Sequence, residues 1–367
     1  MFNPVPVGRD RIQAMDGLRA YAVSLVFCVH FFGHYYDRTK GIDFDSFDYT
    51  QAGTIFDLIG YYFASSHYGV DLFFLLSGFL ICRMVAHRDF NYISFLRNRL
   101  IRLYPAFAVA LVLHLAYAAY FWDKIFDPWT VIQNGLFLIG IWELKVSPII
   151  VPTWSLTYEW LFYLLFPLAM LLFARKSSFS AWQIAACAVL TIAAVAPLNA
   201  NYTRFVMFFV GAALACTPKQ LLQQWTKVVP DAAVILICAI INLAFVLDRN
   251  YYHFIWPFAL ASALLTIKTV HGEGWLSRVF RFQPLRTLGA ISYSFFLLHG
   301  LALIIVVDHL GLLTVNVPEP LRILLLASIS FLVATVAAAL SFFLFERPYF
   351  QRRIQEFHPV HALSSSA

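Results

Sequence analysis

The stretch DGLRAYAVSLVFCVH, Asp16–His30, opens an apolar helix that carries an arginine at Arg19 and a histidine at His30. A charged group in hydrocarbon costs several kcal/mol unless it is paired, snorkels to an interface or faces a wet cavity. Eleven residues at about 100° each come to roughly 1100°, about 20° past three turns, so the two side chains share one helix face, about 16 Å apart along the axis. That face holds a cation at one depth and a titratable imidazole at another. What it looks onto decides what the chain does.

The composition says where such a helix lies. Of 367 residues, 61% are hydrophobic and only 13% charged, and the mean hydropathy is +0.72. A soluble domain of this size would be about a quarter charged, so the chain reads as a polytopic membrane protein. Aromatic residues reach 17%, as expected where Trp and Tyr line both membrane interfaces. The net charge of +6 is then a matter of orientation in the membrane rather than of nucleic-acid binding. The five cysteines, Cys28, Cys82, Cys187, Cys216 and Cys238, sit in or beside apolar segments without a C-x-x-C pair. They read as small buried side chains, with neither a disulfide framework nor a metal site expected. No cleavable signal peptide is evident at the N-terminus.

A membrane span needs about 20 mostly apolar residues. The expected fold is all-α and integral to the membrane, with about ten transmembrane helices near 14–35, 70–87, 104–122, 154–174, 181–198, 203–216, 230–247, 251–270, 287–309 and 320–345. The apolar segment near 129–142 is short and reads as a re-entrant or interfacial piece. With both termini in the cytoplasm, 19 of the 26 Lys and Arg fall inside and seven outside (Arg38, Lys40, Lys124, Lys145, Arg204, Arg249 and Arg322). A full crossing at 129–142 would switch every later loop and largely erase that bias. The loop 36–69, with Asp37, Asp43, Asp45, Asp48 and Asp57, is expected outside. Residues 1–350 read as one membrane domain and 351–367 as a short cytoplasmic tail.

Several polar residues exceed what a membrane anchor needs. Asp71, in GVDLFFLLSGFLI, reads either as a helix cap or as a carboxylate facing the cavity of His30. In FLRNRLIRLYP, Arg97, Arg99 and Arg102 read as positive-inside anchors or, for Arg99 and Arg102 at i, i+3, as paired guanidinium forks suited to a polyphosphate. Pro105 fits the first turn of the following span. Glu159, in PTWSLTYEWLFYLLFP, lies about five residues into an apolar helix with Ser155 and Tyr163 on its face; it is paired, protonated or cavity-lining. In GAISYSFFLLHG, Ser292 and His299 share a face beside Tyr293, and His299 on its own reads equally as an interhelical hydrogen bond. Glu346 and Arg347, in SFFLFERPYFQRR, read as interface anchors. No G-x-S-x-G, P-loop or metal-binding spacing occurs, and no metal is expected.

In chain order these blocks resemble the membrane acyltransferase-3 family, the integral-membrane sugar acyltransferases typified by bacterial O-antigen acetylases. The likeness is carried by DGLRAYAVSLVFCVH, GVDLFFLLSGFLI, RLIRLYPAF, TWSLTYEWLFYLLFP, ISYSFFLLH and FERP, from about residue 12 to 350. The resemblance implies an O-acyltransferase that takes an acyl group from cytoplasmic acyl-CoA, with acetyl expected, and passes it to a hydroxyl of a cell-surface or lipid-linked carbohydrate. Acyl-CoA would be a co-substrate, with no tightly bound cofactor. Many relatives carry a fused SGNH-type domain; this chain is expected to lack one, which raises the question of an envelope-biosynthesis partner or a homo-oligomer. The implied setting is a bacterial inner membrane, with lipid as the surrounding partner.

Acyl transfer needs a base near the nucleophile, a held thioester and oxyanion support. His30 is expected as the base, oriented by Glu159 or Asp71; an acyl-histidine intermediate is the other route through the same residue. Arg99 and Arg102, with Arg97, are expected on the CoA phosphates, Arg19 along the channel, and Ser155, Tyr293 and His299 in support. The competing reading is a secondary transporter or flippase for a polar or lipid-linked solute. Such proteins also bear intramembrane charges but more often show two related halves. A non-catalytic membrane scaffold is the third.

Overall fold

Helix α1, Gln13–Lys40, is 28 residues long, about 42 Å at 1.5 Å per residue, and therefore longer than the roughly 30 Å hydrocarbon core. It ends where Gly41 adopts φ 64°, a left-handed C-cap. The structure is a computed structural model that describes residues 12–42, 49–87, 89–139, 141, 144–173, 181–195 and 202–351. The expected tail beyond Gln351 and the loop acids Asp43, Asp45 and Asp48 lie outside the described residues, as do Arg175 and Lys176.

The described chain is helical. After α1 come α2 (Ile55–Ala64), α3 (Tyr68–Val85), α4 (Tyr92–Phe121), α5 (Pro128–Gly135), α6 (Trp154–Phe173), α7 (Ala181–Val195), α8 (Phe205–Cys216), α9 (Lys219–Val228), α10 (Asp231–Leu247) and α11 (Tyr251–His271). Two short helices, α12 (Trp275–Phe280) and α13 (Gln283–Ala290), lead into α14 (Ser292–Ile305), α15 (Gly311–Leu313) and α16 (Glu319–Ser341). A helix stands at each of the ten expected spans. Among the described residues six are long and apolar enough to cross a membrane, or seven if α8 and α9, bent by 106°, count as one. α7 and α10 are apolar but shorter. This is a multi-pass membrane protein.

Two expectations change, at the loop 36–69 and at Pro105. The loop 36–69 contains α2, started by a capping box between Thr54 and Asp57 and nearly continuous with α3 in one apolar run, Ile55–Val85. The segment near 129–142 yields the eight-residue α5, about 12 Å long and too short to cross; residues 140, 142 and 143 lie outside the described residues. Helix α4 starts at Tyr92, where the Asn91 side chain accepts the Ser94 N–H at 2.8 Å. Pro105 is therefore interior to that helix, and Arg97, Arg99 and Arg102 ride on the same α-helix.

α1 packs along α3, α13 and α14, and α14 packs on α16. A close backbone crossing joins α3 to α8. A Cβ on Gly78 would overlap the Phe208 carbonyl, and one on Gly211 would overlap the Leu75 carbonyl. Small residues permit such backbone approach in membranes. Gly211→Val is expected to cost about 1–3 kcal/mol or more through overpacking, read as a fall in thermal unfolding temperature. An unchanged transition would show that the crossing relaxes freely. On α16, Ser330, Ala334 and Ala338 are buried at intervals of four, while Leu324, Leu332, Val336 and Leu340 on the outward face are exposed.

Candidate active site

Five helices, α1, α3, α4, α6 and α14, enclose two cavities. The larger, about 700 Å³, is lined on α1 by His30, His34 and Asp37, on α4 by His114 and Tyr117, and on α14 by Gly300. His67, Trp154 and Arg204 complete its polar and aromatic wall. The smaller, about 80 Å³, is lined by Arg19, Arg99, Arg102, Ser77, Ser155, Glu159, Tyr163, Ser292 and Tyr293, with Phe73 and Phe296 above them. The Arg19–His30 face of α1 thus looks onto both: the cation into the arginine-side cavity and the imidazole into the histidine-side one.

His30 meets His299 across the α1–α14 interface. His299 Nε2 lies 3.0 Å from His30 Nδ1, and His30 Nδ1 is also 2.9 Å from the Val26 carbonyl one turn back. His299 Nδ1 lies 2.8 Å from the Phe296 carbonyl and 3.2 Å from that of Phe295. Carbonyls only accept, so His299 Nδ1 carries the hydrogen and its Nε2 accepts in the neutral ring. His30 Nδ1–H is then the donor, shared between His299 and Val26. The hydrogen-bond pattern leaves His30 Nε2 as the bare nitrogen on the cavity side. His299 is fully buried and serves as a positioning residue.

The expected orienters of His30 are elsewhere. Glu159 sits in the arginine-side cavity, accepting from Ser77 Oγ at 2.9 Å and from the Tyr163 hydroxyl. Asp71 is fully buried against Arg204 at 3.0 Å and Tyr251 OH at 2.7 Å. Arg204 lies over the Tyr251 and Trp154 rings and itself lines the histidine-side cavity, so Asp71 serves that cavity only through Arg204. Long-range pairing across 133 residues decided this, and nothing local in GVDLFF announces it. Glu346, expected at the interface, is instead buried, carried inward by the π turn Phe342–Glu346 and accepting from Ser294 Oγ at 2.6 Å.

The arginines separate by helix geometry. Arg99 and Arg102 share a face of α4 and enter the cavity. Arg97, two residues or roughly 200° from Arg99, is exposed and lines neither cavity. Arg99 donates to Met84 Sδ at 3.0 Å and lies over the Phe95 and Tyr163 rings. Arg102 lies over Phe350, with its Nε buried and unbonded. The hydrogen-bond and ring partners shown for the two guanidiniums are a thioether and aromatic faces, Glu346 adds a charge interaction with Arg102, and a planar fork suits an anion. Ser155 lines this cavity while its Oγ donates to the Pro152 carbonyl, and the Tyr293 hydroxyl donates to the Leu103 carbonyl at 2.9 Å.

At the far end of α1, Asp308 on the π turn Val306–Leu310 clasps His34 at 2.9 Å and Arg38 at 3.0 Å. This clasp ties α14 to α1 beyond the histidine pair. Its sequence signal was faint: His34 follows His30 by one turn, and Asp308 follows His299 by nine residues.

The protein is multi-pass and helical, with an arginine-lined cavity on one side of a buried histidine pair and a wider cavity on the other. A family profile described as "Acyltransferase domain" matches residues 12–341, and the chain belongs to that acyltransferase-3 family. It is 26% identical over 336 residues to the peptidoglycan O-acetyltransferase OatA of Listeria monocytogenes, covering 79% of this chain and 49% of that protein. It is 26% identical over 170 residues to the acyltransferase MdmB of Streptomyces mycarofaciens, covering 43% of this chain and 39% of that one. The chain thus spans about half, or less, of the length of these relatives. No solved structure matches it.

Proposed function

We propose that this acyltransferase carries an acetyl group from acetyl-CoA, held at the arginine-side cavity, to a carbohydrate hydroxyl in the histidine-side cavity. The observation that carries this reading is the order of parts along α1: guanidiniums, then the histidine pair, then a roomy chamber. Ten helices cross the plasma membrane of a bacterium in this reading, with the arginine side cytoplasmic. Arg99 and Arg102 take the CoA phosphates, and Arg19 lines the path of the pantetheine arm. His30 Nε2 takes the proton of the acceptor hydroxyl as its oxygen attacks the thioester carbon. The C–S bond breaks, the leaving thiolate takes that proton back from His30 to give free CoA, and His299 holds the imidazole in its tautomer. The same bare nitrogen serves an acyl-histidine route. The acceptor class follows the Listeria relative, a peptidoglycan O-acetyltransferase by name. It also suits a chamber walled by Trp154, Tyr117 and polar groups.

The test is transfer of label from isotope-labelled acetyl-CoA to envelope glycans by the purified protein in nanodiscs. Label in glycan and stoichiometric CoA release support the reading; CoA that neither binds nor turns over would sink it. Gly300 offers an independent test of where the acceptor sits. It lines the histidine-side cavity, and a Cβ there meets nothing within 4 Å. Gly300→Leu therefore fills the chamber without crowding the fold, and leucine gains about 0.5–1 kcal/mol over glycine in helix propensity. The expected outcome is a raised KM for the acceptor with CoA affinity and thermal stability retained. Unchanged acceptor kinetics would move the acceptor out of this chamber.

A further inference from the structure

Val70 on α3 lines both cavities, the 80 Å³ one below it and the 700 Å³ one above. The polar groups of the smaller cavity, Arg19, Ser77 and Glu159, give way at this level to Val70, Phe73 and Phe296. The Phe73 and Phe296 rings meet edge to face at 6.2 Å. Phe296 stands directly beside the histidine pair: its ring is 6.0 Å from that of His299, and its carbonyl takes the His299 Nδ1 hydrogen. Val70 is braced by both of the apolar clusters that flank the site, and its β-branch leaves it stiff at χ1. A thioester that reaches His30 from the arginine side must bring its acyl group past these three side chains.

We propose that Val70, with Phe73 and Phe296, gauges the acyl chain, passing acetyl to His30 and excluding longer acyl groups at the neck between the cavities. The inference rests on the acyl-CoA reading above and adds to it the determinant of donor length. One methylene in a tight apolar site is worth about 10- to 200-fold in discrimination, so a neck of this kind is sufficient for a sharp preference. Because Val70 touches no reacting atom, its replacement changes which donor is used more than how the bond is exchanged.

The experiment compares acetyl-, propionyl- and butyryl-CoA with wild type, Val70→Ala and Val70→Ile in nanodiscs, reading label transfer and CoA affinity for each donor. Val70→Ala is expected to raise the butyryl-to-acetyl transfer ratio about tenfold or more. Val70→Ile is expected to lower the propionyl-to-acetyl ratio, with CoA affinity unchanged in both. A general packing defect would lower all donors together and leave the ratios flat; flat ratios in both variants overturn the gauge. If Val70→Ala does not fold, the ratio from the conservative Val70→Ile decides alone. A wild type that transfers none of the three overturns the acyl-CoA reading and the gauge with it, whereas an active wild type with flat variant ratios overturns the gauge alone.

Discussion

Replacing His30 with alanine lowers acyl transfer by about 10²- to 10⁴-fold, the usual worth of a positioned acid–base group, while CoA binding stays at wild-type strength. The separation follows from geometry. His30 lines the 700 Å³ cavity and is absent from the lining of the arginine-side one, so its removal leaves the phosphate-binding end intact. Glutamine at 30 would retain a hydrogen-bonding side chain but supply no base, and is expected to be as inactive as alanine. Transfer of label in nanodiscs, paired with calorimetric CoA titration, reads both quantities on one preparation. A variant that loses CoA affinity in parallel with activity would place the histidine in donor binding instead.

The second large effect runs the other way. Arg99→Ala and Arg102→Ala each weaken CoA binding by about 1.5–3 kcal/mol, the range for hydrogen bonds to charged groups, which is tenfold or more in Kd. Transfer at saturating donor is expected to persist, since neither residue contacts His30. Lysine restores charge but not the planar fork, so Arg102→Lys recovers only part of the affinity. Arg97→Ala supplies the internal control: on the opposite face of α4 and exposed, it should leave CoA affinity near wild type. Equal losses at all three positions would mean that a diffuse positive field, and not a built cradle, attracts the donor.

Much of the frame was legible in the chain. A helix stands at each of the ten apolar runs, and the spacing of Arg19 and His30 foretold a face that looks onto two different environments. The pairing of Arg99 with Arg102 follows from helical pitch; the same pitch turns Arg97 to the opposite face, although the reading placed it with them on the CoA phosphates. The partners were not legible. His30 and His299 are separated by 269 residues, Glu159 and Ser77 by 82, and periodicity carries no signal about which helix faces which. Glu346 eluded the reading because a π turn rotates it inward from the position that a regular α-helix would give. Pro105 misled it, since a proline near a span's start reads as a first turn, whereas α4 begins thirteen residues earlier.

The apolar neck at Val70 also has an electrical side. A continuous column of water flanked by histidines would let protons run down the membrane potential, at about 2.3 kcal/mol per charge for each 100 mV. Hydrophobic constrictions oppose this by dewetting. With valine and two phenylalanines between the wet chambers, a neutral acyl carbon can be handed across while the ionic insulation of the bilayer holds. The proton that His30 takes from the acceptor hydroxyl goes to the departing thiolate, so the exchange sheds no proton on either side of that seal. On the proposed route, each turnover moves an acyl group past the neck without spending the proton gradient.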